Sequence, residues 1–161
     1  MPDLADRLRQ QISTETPLLR KISDDLAGTR PGGGEGWSRK QELGHLLDSA
    51  TNNRVRFVRA ALEGSFDGPS YNPDGWVAMG GYPEASWHEL VELWSATNLA
   101  LASVVDRIPE ERLASPCRIG QNAPVTLEFL IDDYILHAQH HIDHVLARDK
   151  VTAYPRAAAA V

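Results

Sequence analysis

Among 161 residues there is a single cysteine, Cys117. One cysteine cannot close an intrachain disulfide, so a disulfide-stapled secreted scaffold is excluded and a reducing, cytoplasmic setting is expected. No run of 18 apolar residues occurs, so no membrane-spanning helix and no membrane partner are expected. Basic charge is also short: 16 Lys and Arg stand against 22 Asp and Glu, a formal net charge of −6. A nucleic-acid binder usually carries a basic stripe, whereas Arg54, Arg56 and Arg59 form only a local cluster, so no nucleic-acid partner is expected. The segment Met1-Pro2-Asp3-Leu4-Ala5-Asp6 lacks the basic region and apolar core of a signal peptide. Alternating runs of β-branched residues are scarce too, which argues against a sheet protein.

What is present is helical patterning. The length fits one domain, taken as residues 1–161 with a frayed tail from about 150 to 161. Apolar residues recur with a 3.6-residue period in four stretches. The first runs from about Asp3 to Ala27, and Pro17 within it predicts a kink or two pieces. The second opens at Ser38, where Gln41 three residues on completes a capping box, and runs to about Leu62 with Gly64 as its stop. The third spans about Glu84 to Ile108, with Thr97 and Asn98 as polar interruptions that need partners if buried. The fourth is capped by Thr126 and runs to about Arg148. Residues 63–83, rich in Gly and Pro, read as one long loop; Tyr71 and Trp76 in it either cover a pocket or pack the loop onto the helices. The pattern predicts an all-α four-helix bundle with that loop between helices 2 and 3.

Four of the six histidines fall within eight residues: His137, His140, His141 and His144. Positions four apart on a helix lie one above the other, which gives the pairs His137/His141 and His140/His144. Leu127, Leu130, Ile131, Tyr134, Ala138, Ile142 and Val145 define the buried direction of that helix. Rotation of about 100° per residue places His141 nearest to it, then His137, with His144 and His140 progressively further out. A third ligand has to come from another helix, and His45 is the candidate. It points away from the aliphatic stripe of the second helix, on a strip with Glu42, Ser49, Asn52 and Arg56. That strip is either a solvated face or the wall of a wet cavity between helices. His88, beside Trp87, reads as a surface residue.

Gly36-Trp37-Ser38, Gly44-His45-Leu46-Leu47-Asp48-Ser49, Asn52-Asn53 and Arg56-Phe57 resemble the second-helix signature of the DinB-like (YfiT-like) four-helix metalloprotein superfamily. Cys117-Arg118-Ile119-Gly120, Thr126-Leu127-Glu128-Phe129-Leu130, and Asp133-Tyr134 through His137 to His141 are similar to its fourth-helix signature. The likeness covers about residues 14 to 148. It implies a divalent metal, zinc or nickel, held by His45, His137 and His141, and so favours the cavity reading of the His45 strip. It also implies a homodimer, and a site without sulfur, which leaves Cys117 no role.

Three imidazoles with an open position are the layout of a catalytic rather than a structural site. The resemblance implies two activities on such a site: transfer of a low-molecular-weight thiol, and metal-dependent hydrolysis with activated water. The first is the expected function, because no carboxylate base of the His-Glu-x-x-His type is present. Arg56 is the candidate for holding the carboxylate of the thiol cofactor, and the substrate is expected to be a small molecule. A non-catalytic metal-binding stress protein is the reading from another class. Asp48, Asp133 and Asp143 are the acids nearest in sequence to the histidines and the candidates to orient their rings.

Overall fold

The computed structural model describes residues 3–155. Helix α1 (Leu4–Arg20) starts at Asp3, whose carboxylate accepts from the Asp6 amide. The helix runs through Pro17 and ends only at Lys21. Pro17 therefore does not split it: the missing N–H falls in the last turn, and the break comes where Ser23 caps the short α2 (Asp24–Ala27). Helix α3 (Arg39–Glu63) has both halves of the predicted capping box, Ser38 with Gln41, and stops at Gly64, whose φ of 80° is left-handed. Helices α5 (Trp87–Val105) and α6 (Leu127–Val145) start at the hydroxyls of Ser86 and Thr126.

The four long helices form a closed ring: α1 packs on α5, α5 on α3, α3 on α6, and α6 back on α1. Their inward stripes make the core, with Leu8, Leu43, Phe57, Trp94, Leu101, Ile131 and Ile142 almost fully buried. Asn98, the polar interruption on α5, is completely buried and satisfied: its amide donates to the Trp94 carbonyl, and it accepts from the Tyr134 hydroxyl at 2.5 Å. No helix among the described residues is long and apolar enough to cross a membrane.

The bundle is not purely helical, and the long loop is not irregular. Residues 63–83 contain strand β1 (Phe66–Gly68) and helix α4 (Pro73–Gly80), followed by a 3₁₀ turn at Tyr82–Glu84. The α5–α6 connection carries β2 (Pro116–Ile119) and β3 (Val125–Thr126). β1 pairs in parallel with β2, Phe66 opposite Cys117, and β2 pairs antiparallel with β3. Strands of two to four residues are too short to show alternation, and the β1–β2 pairing joins segments some fifty residues apart. Tyr82 fastens the end of this connection to α3. Its hydroxyl donates to Asp48 at 2.5 Å, and its ring lies where any side chain on Gly44 would stand.

The tail is anchored as far as it is described. The Thr152 amide and hydroxyl donate to Asp143, and the Tyr154 hydroxyl donates to Asp133. Fraying was expected from about residue 150; within the described part of the tail, Thr152 and Tyr154 make these contacts with α6. The expected fraying of Ala157–Val161 lies outside the described residues.

Candidate metal centre and its cleft

Helices α3 and α6 are neighbours in the ring, and their facing turns bring His45, His137 and His141 together. One nitrogen from each lies within 4.8 Å of the others. His45 Nε2 and His137 Nε2 face each other at 3.0 Å. The His141 ring stands 4.6 Å from both of theirs, centre to centre. His141 Nδ1 is engaged by Glu42 Oε2 at 2.5 Å, which leaves Nε2 for the cluster. The cleft that opens at His45 and His137 continues along α3 past Ser49 and Asn53 to Arg56, with Tyr71 and Tyr154 on its other sides. Its volume is about 240 Å³.

Burial sets the protonation of two of the three rings. Removal from water, reinforced by the neighbouring His141, lowers the His45 pKa to about 4. The same causes, with His45 and His140 added, lower His137 to about 2. Both are neutral at physiological pH and present lone pairs, the form in which imidazole binds a metal. Between two Nε2 atoms facing at 3.0 Å there is room for one proton at most. The separation is close to the edge of about 3.3 Å that two ligands, each about 2.05 Å from one tetrahedral ion, would span. His45 Nδ1 is buried without a hydrogen-bond partner. The donor set and its spacing therefore fit a divalent metal ion.

The wet-wall reading of the His45 strip holds for His45, Ser49 and Arg56, all buried, but the amide on that wall is Asn53 rather than Asn52. His140, placed furthest out by the rotation, is half-buried: its Nδ1 meets the Thr152 carbonyl at 2.7 Å, so it pins the tail. His144 stays outside the three-histidine cluster, with a half-exposed ring and Nδ1 3.9 Å from the second oxygen of Glu42. Glu42, His141 and His144 form a second, outer group whose nitrogens and oxygens also lie within 4.8 Å. His88 is exposed, as expected. Tyr71 lines the cleft but Trp76 does not; the indole packs on Tyr71, 5.4 Å centre to centre, and is 40% exposed. Cys117 is fully buried on β2, where burial pushes its thiol up to about 11 and no metal-ligating group among the described residues joins it.

Two of the acids nearest in sequence are engaged elsewhere: Asp48 accepts from Tyr82, and Asp143 from Gln139, Arg148 and Thr152. Asp133 lines the cleft and accepts from Tyr154. The acid that does reach a ring is Glu42, one turn before His45 on the same helix. It was visible in sequence as the acidic member of the His45 strip, yet pairing it with His141 needs the packing of α3 on α6. Trp37, whose ring lies 4.9 Å from that of His45, and Tyr154, 5.0 Å from that of His137, complete the surroundings.

The same architecture recurs in solved structures. YfiT from Bacillus subtilis, described as "a probable metal-dependent hydrolase with an unusual four-helix bundle topology", superposes with a TM-score of 0.74 at 21% identity, covering 90% of this chain and 84% of that one. A mycothiol-dependent maleylpyruvate isomerase superposes with a TM-score of 0.72 at 16% identity, and a histidine-to-alanine variant of it with 0.73. Each covers 89% of this chain, which spans 61% of the longer isomerase. No curated protein is similar enough in sequence to count as a match. At these identities the superpositions speak for the fold alone. The sequence itself matches the model of the DinB superfamily from residue 7 to residue 145, which takes in all three clustered histidines, and the chain belongs to that superfamily.

Proposed function

We propose that this protein is a divalent-metal-dependent transferase that acts with a low-molecular-weight thiol on a small electrophile. The observation that carries the reading is the pair of Nε2 atoms of His45 and His137, 3.0 Å apart at the end of a cleft, with His141 as third donor. A structural zinc site is closed by four protein ligands, whereas three histidines leave a position for an exchangeable ligand. A bound ion supplies Lewis acidity, lowering the pKa of a coordinated thiol or water toward neutrality.

The remaining roles belong to the chain. His45, His137 and His141 hold the ion; Glu42 fixes the tautomer and orientation of His141. Trp37 packs its ring on that of His45. The thiol sulfur forms a new S–C bond while a halide leaves an arene, the thiol proton going to solvent with the halide, or while an epoxide C–O bond breaks, the proton ending on the alkoxide oxygen. The mycothiol dependence of the isomerase neighbour supports the thiol reading by analogy of fold. Hydrolysis is the second reading, and it is favoured by one observation: Asp133 brings a carboxylate into the cleft, where it can accept a proton from water.

The test is an assay of protein purified without a polyhistidine tag. Ester, amide, aryl halide and epoxide substrates are each offered with and without bacillithiol, mycothiol or glutathione. Turnover of the electrophile only with thiol, lost with chelator and in His137→Ala, is the expected result. Cleavage of ester or amide without thiol would replace the transferase reading by the hydrolase one. Stoichiometric metal with no turnover of any substrate would point to a binding protein.

A further inference from the structure

Three helical turns beyond His45 on α3, the side chain of Arg56 lines the same cleft. Eleven residues separate the two positions, about three turns and about 16 Å of rise, so both side chains leave the same face of the helix. Arg56 is 9% exposed. A buried guanidinium normally sits against a carboxylate, because the charge is costly to remove from water otherwise. Here it does not. Its contacts are two bonds at the 3.5 Å limit, to Asn53 Oδ1 and to the Pro69 carbonyl, and the Tyr71 ring, whose centre lies 5.9 Å from the guanidinium carbon. All three partners are neutral, and burial lowers the Arg56 pKa.

The other basic side chains nearby are either spent or exposed. Arg59 pairs with Glu63, and Arg118 with Asp67, on the outer surface. Buried Arg39 and Lys40 donate to carbonyls at helix ends, and Lys40 also to Asp24. Arg56 alone of these faces a cavity with most of its five donors unused. The planar fork of a guanidinium matches a carboxylate with two parallel hydrogen bonds. Asn53 holds the guanidinium toward the cleft, and its own amide is tied back to Ser49.

We infer that Arg56 is a carboxylate-recognition subsite, and that the cleft takes a small organic acid whose carboxylate docks on Arg56 while its other end reaches toward His45 and His137. The inference rests on the proposed function only for which end of the ligand reacts; the contact with Arg56 needs no metal. A cleft of about 240 Å³ bounds the ligand. That is the space of about eight water molecules in the liquid, enough for a short-chain acid or for the acidic end of a larger thiol. Either partner of the proposed reaction can bring the carboxylate, the thiol or the electrophile.

The experiment is an NMR titration of the full chain, labelled with ¹⁵N and followed at the Arg56 Nε–Hε signal. Four probes are used: 3-mercaptopropionate, its amide, propionate and propionamide, each with chelator and then with one equivalent of zinc. With chelator, both acids should shift the signal in a saturable way, and both amides should bind at least about tenfold more weakly, as expected for loss of a charge-assisted pair. Arg56→Gln should erase the preference for acid over amide, and Arg56→Lys should keep part of it. Because Arg56 also bonds Pro69, circular dichroism melts check that the variants fold; the comparison of acid with amide on the unmodified chain stands regardless. Equal binding of acids and amides to the unmodified chain, or a preference that survives Arg56→Gln, would overturn the inference. Tightening by zinc of the thiol acid but not of propionate assigns the carboxylate to the thiol partner.

Discussion

Replacing Glu42 by glutamine changes a single atom at the foot of the site and asks how much the charge behind His141 contributes to metal affinity. The pair is short, 2.5 Å, and sheltered: the side chains of His141 and Glu42 are only 15% and 12% exposed. A hydrogen bond to a charged acceptor contributes about 1.5–3 kcal/mol net, and one between neutral groups about 0.5–1.5 kcal/mol. Glutamine keeps an acceptor oxygen in place, so the loss is the difference, about 1–1.5 kcal/mol. At about 1.4 kcal/mol per decade, zinc should bind five- to tenfold more weakly. Glu42→Ala removes the acceptor altogether and should cost about 10–100-fold. The assay is competition for zinc against a chromophoric chelator. His144→Ala is the control that separates an orienting Glu42 from a ligating one: the outer group of Glu42, His141 and His144 would lose its ion in that variant, whereas the inner site should not notice. Wild-type affinity in both Glu42 variants would refute the argument, since it would mean that the His141 ring needs no partner to face the cluster.

Cys117→Ser should retain full metal content by elemental analysis, because the thiol is buried on β2 away from the histidine cluster; metal loss there would show a sulfur ligand. Tyr134→Phe should cost about 1–3 kcal/mol in urea unfolding, because it orphans the buried Asn98 oxygen in the core; an unchanged midpoint would contradict that. Asp24, at the start of α2, is held below the usual carboxylate range by the Trp87 amide N–H and by Lys40. A depressed carboxyl adds stability above its unfolded pKa of about 3.9 and loses it as pH falls through the folded value. The Tm difference between wild type and Asp24→Ala should therefore be constant near neutrality and shrink below about pH 4; a difference that persists at pH 2 would assign it to packing instead.

The helices were legible because each carries its own signals. The Ser38–Gln41 box, the Gly64 stop and the Thr126 cap act within one turn of the chain, so reading them needs no tertiary information. The histidine pair on α6 was legible for the same reason, since a spacing of four and an apolar stripe fix its direction. His45 was harder: its own helix pointed it away from the aliphatic stripe, and only the neighbouring α6 turns that face into a cleft wall. Glu42 as partner of His141, the short sheet, and the anchored tail with Tyr154 were not legible at all. The Glu42–His141 pair and the β1–β2 pairing join residues fifty to a hundred positions apart, and the tail contacts, 9 to 21 positions apart, depend on how the chain folds back on α6 rather than on local pattern.

The parallel pairing of β1 with β2 joins the α3–α5 and α5–α6 connections of the bundle into one body. β1 runs on into Ser70 and Tyr71, and β2 ends at Ile119; all three line the cleft. The join continues past the strands, where the Gly120 amide donates to the Gly68 carbonyl at 2.8 Å. One side of the cleft therefore cannot swing without dragging the other, and any breathing of this wall is a single event involving both segments. Cys117 sits in the middle of that body, opposite Phe66, and where it lies buried its thiol is unreactive. The chain thus carries its own clock for the motion: the rate at which Cys117 reacts with a small thiol reagent measures how often the wall opens, and a ligand that seats beneath Tyr71 will slow it.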